Sequence, residues 1–411
     1  MSWRTLTIGD LVSAGVADIQ TGPFGTQLKA SDYVDEGTPV INVRNIGFGG
    51  LKPEKLEFVT EETSERLASH LLESRDIVFG RKGAVDRHLF VTDEQEHWMQ
   101  GSDCIRLRFS TDEVVARFVS YFFLTEFHQK WMLTQAGNKA TMASLNQDII
   151  KRIVLLLPAP SVQRKTVDIL SAYDDLIANN QQRIALLEEA ARQLYREWFV
   201  RLRFPGHEHT QITNGLPKGW DLGTIADFFD TTSGGTPSRA NPDFYTGDIN
   251  WVKTQELNDD FIFETEERIT EDALAKSSAK LFPANTLLVS IYGGTNIGRT
   301  GILAEPAATN QACCALFPKD PRAHYIYGAL YLREQREHLI ALAQGAAQTN
   351  ISQQVIRALP MRVATASLMS TFVEALSPAF EQMKSLKRQN DKLRAARDLL
   401  LPRLMSGAIP V

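Results

Sequence analysis

Two stretches of this chain repeat apolar residues at alternating spacings of three and four, and each interrupts its own pattern with a single asparagine. The first runs Leu170, Tyr173, Ile177, Asn180, Ile184, Leu187, Ala191, Leu194, Trp198. The second runs Phe372, Leu376, Ala379, Met383, Leu386, Asn390, Leu393, Arg397, Leu400, Leu404. A seam sustained over this many turns specifies long helices that bury one stripe against a partner. One seam asparagine commonly fixes register at a cost in stability. In an antiparallel pair an a position faces a d position. Setting Asn180 opposite Asn390 then pairs Ile177 with Leu393, Ile184 with Leu386, Leu187 with Met383, Trp198 with Phe372 and Leu170 with Leu400. Tyr173 meets Arg397, whose charge must reach solvent or stack on the ring.

The seams keep the same phase at an offset of 206, and the remainder of the chain repeats as well. At an offset of 210, Gly37–Ile41 falls on Gly247–Trp251, Gly83 on Gly293, and Cys104 on Cys314; Asp76–Gly80 matches Asn285–Val289 with a one-residue slip. Near the ends of the halves Gly137 matches Gly345. Short apolar runs bounded by turn residues read as strands: Val40–Val43, Asp76–Phe79, Leu89–Thr92 and Ile105–Phe109 in the first half. Their counterparts are Ile249–Val252, Leu287–Ile291, Thr300–Ala304 and Ala315–Phe317. Val114–Met132 and Ala323–Ala343 read as helices. The expected fold is therefore α/β (α+β) globular domains in tandem repeat, separated by two long helices that form an antiparallel coiled coil with pseudo-twofold symmetry. Domain 1 is expected over residues 1–157, the central helix over 158–205, domain 2 over 206–362 and the C-terminal helix over 363–411.

Net charge is −5, which by itself argues against nucleic acid. Its distribution tells more. Residues 1–150 carry 15 basic against 21 acidic side chains and residues 206–360 carry 12 against 18, whereas 151–205 carry 9 against 6 and 361–411 carry 8 against 4. Two acidic domains thus alternate with two basic helical segments. A helix of about 40 residues extends ~60 Å. Two similar readers on such a spacer match a bipartite target along DNA, whose turn is ~34–36 Å.

The helix and domain motifs resemble those of Type I restriction–modification specificity subunits. Leu194-Tyr-Arg-Glu-Trp-Phe-Val200 followed by Arg203-Phe-Pro-Gly206 is similar to the first central helix of that family, as are Tyr173–Asn179 and Leu186-Leu-Glu188. Ala396–Gly407 resembles the second helix. Ser233-Gly-Gly-Thr-Pro-Ser238 followed by Gly247-Asp-Ile-Asn-Trp-Val252 resembles the usual opening of a recognition domain, whereas the first half has Thr21-Gly-Pro-Phe-Gly25 instead. The resemblance implies a non-catalytic subunit of a methyltransferase/endonuclease complex. Each recognition domain reads one half of an asymmetric, gapped double-stranded DNA site. The helices set the gap and dock two adenine-methylating modification subunits, and ATP-dependent restriction subunits join through the complex. Tyr195 and Arg196, expected to be exposed, are candidates for the docking face.

Tests for resident chemistry agree with a non-catalytic chain. No Gly-Lys dipeptide occurs, so there is no phosphate loop of the Gly-Lys-Ser/Thr kind. No lysine has Asp or Glu two places upstream, which disfavours a common nuclease arrangement. Asn241-Pro-Asp-Phe244 lacks the second proline of an adenine methyltransferase loop and reads as a turn. His207-Glu-His209 sits in a polar linker without a further ligand pair, so no metal and no cofactor are expected. Cys313 and Cys314 read as buried thiols. The longest apolar run lies near Ile153–Pro160, far short of a bilayer span, and no signal peptide precedes it; a cytoplasmic protein without membrane contact is expected.

The best candidates for DNA contact are loops that recur in both halves. After one strand come Arg81, Lys82 and Arg87; after its counterpart come Tyr292, Thr295, Asn296 and Arg299. Arginine binds guanine bidentately, asparagine binds adenine, and lysine more often neutralises phosphate. Lys139 and Gln348 lie in a second matched pair of loops, and Arg44 and Lys253 follow matching strands. The competing reading is a coiled-coil scaffold whose two α/β domains bind proteins; a third is an enzyme with an unfamiliar motif.

Overall fold

The computed structural model describes residues 3–137, 144–344 and 350–411. It divides into two compact units, Met1–Leu176 with Leu393–Val411, and Ile177–Lys392. The long helices span Pro160–Tyr195 and Ala366–Met405, so each unit includes a stretch of both.

In the first unit the strand Ile77–Gly80 lies at the centre of a five-stranded sheet, between Cys104–Phe109 and His88–Phe90, with Ala17–Thr21 and Phe48–Gly49 at the edges. Successive side chains of a strand point to opposite faces. Ile77 and Phe79 pack with Phe118 and Tyr121 of the helix Ala116–Phe123. Val78 packs on the other side with Ile41, Leu89 and Cys104. Ile41 belongs to the second sheet, ordered Tyr33–Val34, Glu57–Val59, Thr38–Ile41, Met99–Gln100. Both faces of the central strand are thus covered, which is why it reads as an unbroken apolar run rather than an alternating one. Arg4–Thr7 pairs with Val154–Leu157 and brings the two ends of the domain together.

The second unit repeats this order. Its five-stranded sheet runs Phe229–Ser233, Cys313–Pro318, Leu287–Ser290, Thr300–Leu303, Asp260–Ile262. Asp221–Thr224 pairs with Pro360–Val363 as Arg4–Thr7 does with Val154–Leu157. The thiols refine the offset: Cys104 Sγ lies 3.2 Å from Ile41 O and Cys313 Sγ 3.9 Å from Val252 O. Cys104 therefore corresponds to Cys313, one residue from the match at Cys314. All three thiols are buried, and burial pushes Cys104 and Cys314 up to about 12.

Each helix expected after the strands is in fact two. Ala116–Phe123 is followed by Glu126–Ala136, with Thr125 as N-cap, and Tyr325–Glu334 by Arg336–Gln344. In the first case the Thr125 hydroxyl takes over the helix-start N–H of His128, a local alternative to continuing the turn.

The seam residues meet as their spacing requires. In the second unit Asn180 Nδ2 donates to Asn390 Oδ1 at 3.0 Å, and the Trp198 and Phe372 rings lie 5.5 Å apart. One helix therefore runs against the other. Asn180, Asn390, Leu376, Met383 and Leu386 are all buried. In the first unit Leu170 packs in one cluster with Leu400, Leu401 and Leu404. Arg397, expected to reach solvent or stack on Tyr173, meets carboxylates: its guanidinium bonds Asp174 at 2.7 Å and Asp398 at 2.9 Å. Asp174 also accepts from Tyr121 OH at 2.6 Å, tying helix to domain. No helix among the described residues is long and apolar enough to cross a membrane.

Two predictions follow from this packing. Replacing Asn180 or Asn390 singly by leucine leaves the other side chain without its amide partner and is expected to cost roughly 1–3 kcal/mol, whereas the double replacement is close to neutral or stabilising. Calorimetric melting of the single and double variants checks this through the coupling between the sites. The second concerns His88 and His128, both buried in the first domain, with His88 Nε2 2.8 Å from Ser120 Oγ. Burial depresses both from 6.5 to about 3, with the charges of His128 and Arg117 adding to the effect at His88. The unfolded chain binds these protons and the folded chain does not, so stability is full above pH 6.5 and falls as the pH drops from there toward 3. At pH 5.5 the loss is roughly 1.4 kcal/mol per histidine. A His128→Phe variant melted at pH 7.5 and 5.5 should show a smaller drop than the parent.

Candidate nucleic-acid interface

In each unit the chain leaves the central strand into a loop held by the same pair of backbone bonds. Arg81 donates its N–H to Asp103 O at 2.8 Å, and its carbonyl accepts from Leu145 N at 2.8 Å. Ile291 donates to Ala312 O at 3.0 Å and accepts from Ile351 N at 3.0 Å. The neighbouring segments share a second constraint. A Cβ on Gly22 would sit 2.0 Å from Gly101 O, and one on Gly234 would sit 2.0 Å from Thr309 O. Thr21–Gly25 and Ser233–Ser238 therefore leave their strands by the same close approach, although only one of the Gly-Gly glycines is kept in the first.

On this common backbone the side chains differ. In the first unit the Arg81 guanidinium carbon lies 5.8 Å from the Phe24 ring centre, and that of Arg87 lies 5.0 Å from Phe48. Both rings stay half exposed, at 56% and 51%. Arg87 Nε is shielded from solvent and has no hydrogen-bond partner among the described residues. Lys82 pairs with Asp103 at 3.2 Å, and Arg44 with Glu57 at 3.1 Å. In the second unit Tyr292 is exposed and Asn296 closes the short turn Gly294–Asn296. Arg299 donates to Asn258 Oδ1 at 3.3 Å. Lys253 is mostly buried and held by Glu266 at 2.9 Å and Glu267 at 2.8 Å. Lys139 and Gln348 lie outside the described residues.

A duplicated scaffold carrying unlike polar loops is what a two-part reader of DNA requires. The description Type I restriction modification DNA specificity domain fits the chain over residues 2–189 and again over 217–393. The chain belongs to that family. Its two matched stretches are thus two DNA specificity domains in tandem. The chain is 21% identical over 386 residues to the Type I restriction enzyme HindI specificity subunit of Haemophilus influenzae, covering 79% of this chain and 84% of that one. It is 24% identical over 307 residues to the MjaIX specificity subunit of Methanocaldococcus jannaschii, covering 73% and 70%. The crystal structure of a Type I restriction–modification S subunit from M. genitalium has the same fold, with a TM-score of 0.63 at 14% identity over 98% of this chain and 96% of that chain.

Within this specificity subunit the helix residues separate. Tyr195 is only 4% exposed, against the expectation from sequence: its ring packs 5.4 Å from Phe199 and 5.7 Å from Tyr327. The helix widens into a π turn over Arg196–Val200, which turns Trp198 and Phe199 inward together. Arg196 remains partly exposed and bonds Glu334 at 2.9 Å. Among the described residues no group of three or more His, Cys, Asp or Glu is placed to hold a metal ion. His207 Nδ1 instead lies 2.8 Å from Phe204 O.

Sequence reasoning passed over Phe24, Phe48 and Arg239. Arg239 lies 4.0 Å over the Tyr245 ring and pairs with Glu267 at 2.6 Å. The available signal was local: Phe24 stands between proline and glycine, and Phe48 between two glycines, where no helix or strand stripe accounts for an aromatic.

The glycine constraint gives a direct test. Gly234→Ala forces the backbone apart and is expected to cost roughly 1–3 kcal/mol. It should also weaken recognition of one half-site while sparing the other, and Gly22→Ala should do the reverse. Binding to DNAs altered in one half-site at a time reads this out.

Proposed function

We propose that this Type I restriction–modification specificity subunit reads its DNA target in two pieces, one per recognition domain, and takes no catalytic step itself. The paired helices set the gap between the pieces and dock two methyltransferase subunits that modify adenine; ATP-dependent restriction subunits join through the assembled complex in the cytoplasm. The observation that carries this reading is the pair of equivalent clamps at Arg81 and Ile291, which hold loops of different chemistry at corresponding places. Arg44, Arg81, Lys82, Arg87 and Lys139 are the proposed contacts of the first domain. Lys253, Tyr292, Asn296, Arg299 and Gln348 are those of the second. Lys253 contributes least, because its two carboxylates must first be given up. Arg196 is proposed for the methyltransferase face, with Tyr195 supporting it from beneath.

The acidic balance fits a division of labour. At −5 the chain has no net positive charge to hold duplex DNA tightly, so partner subunits supply much of the attraction to phosphate. The isolated chain should bind duplex DNA weakly, with affinity falling steeply between 50 and ~200 mM salt. Titration by fluorescence anisotropy, alone and with the methyltransferase, checks this; tight salt-insensitive binding by the chain alone contradicts it. Function is tested by mapping methylated adenines in cells with and without the chain. A gapped motif methylated only when the chain is present is expected, and an unchanged pattern would sink the reading.

A further inference from the structure

Resting on that two-piece reading, we propose that Arg81 and Arg87 read guanine in the half-site of the first domain, and that Phe24 and Phe48 are positioning residues that hold the two guanidinium groups for it. Guanine presents O6 and N7 side by side in the major groove, and a planar guanidinium matches both at once. The match discriminates only if the plane is already oriented, since a freely rotating arginine meets phosphate as readily as base. An aromatic face beneath the guanidinium supplies that orientation. Both arginines have one: Phe24 at 5.8 Å and Phe48 at 5.0 Å, on rings half open to solvent.

Charge pairing points the same way. Arg44, Arg66, Arg106 and Arg108 of this domain are each held by a carboxylate. Arg81 and Arg87 make no ion pair among the described residues, and the nearby Asp103 is occupied by Lys82. These two guanidinium groups are thus oriented by apolar faces while their charge stays uncommitted. The loop that carries them is itself fixed, by the clamp at Arg81 and by Val85, which is fully buried between them. The corresponding loop of the second domain differs among the described residues: its one arginine, Arg299, donates to Asn258. The first half-site therefore contains guanine at the positions these arginines face, and Lys82 serves phosphate.

The test uses the full chain assembled with its methyltransferase and a DNA library randomised across the target. The parent complex is expected to select a gapped motif with guanine in one half. Arg87→Lys and Arg81→Lys keep the charge but lose the planar fork, and each should reduce preference for one guanine by about tenfold while the other half-site is unchanged. Phe48→Leu and Phe24→Leu should each reproduce a smaller loss at the same base as the arginine they brace. Lys82→Gln should weaken binding to all sequences alike and lower the salt slope by about one. Retained selectivity at the second half-site shows that each variant is folded. A motif whose halves both lack guanine, or guanine preference untouched by the arginine variants, overturns the inference while leaving two-piece reading intact. Selection of no motif by the parent complex overturns both.

Discussion

The hydrogen bond between Asn180 and Asn390 decides which residues of the two long helices face one another. Leucine and isoleucine seams tolerate sliding by a heptad, because one apolar layer resembles the next. A buried amide does not, since a slip would set each asparagine against hydrocarbon with its donors and acceptor unmet. With the amides in one layer, Trp198 falls beside Phe372 in the same unit. The aromatic cluster of Tyr195, Phe199, Tyr327 and Phe372 then closes around the end of the first helix. Stability is conceded at one layer, and a unique pairing is obtained along the rest.

The globular parts obey a different constraint. A strand covered on both faces leaves no freedom in its register, because every residue of Ile77–Gly80 and of Leu287–Ser290 is buried. The residue that follows is caught on each side by a backbone bond, and the loop begins from a fixed point. The clamp itself uses no side chain, although Val85 of the first loop is anchored in the core. The start of each loop is therefore fixed by main-chain atoms, whatever polar side chains the tip carries.

This separation also explains what could be read from the amino-acid sequence. The seams were legible because helical periodicity is local and repeats many times. The repeat was legible because glycines such as Gly83 and Gly293 recur where the backbone takes a positive φ. The loop partners were not. Glu57 lies 13 residues from Arg44, and Glu266 lies 13 from Lys253, at distances set by sheet pairing that spacing alone does not reveal. The same is true of Arg87 and Phe48, which meet because His88–Phe90 runs beside Phe48–Gly49. Tyr195 was misread for another reason. It follows the surface phase of the coil seam, but its far side is covered by its own domain, and a helix flanked twice has no polar face there. The shift from Cys314 to Cys313 arose where two adjacent identical residues made either offset fit equally well.

Because the clamps at Arg81 and Ile291 use only main-chain atoms, the tips they support are free to vary without refolding the domain. A lineage carrying such a chain can change one word of its address and keep the other, and can do so through a handful of substitutions. Each tip thus rests on its own main-chain footing, Arg81 in one unit and Ile291 in the other.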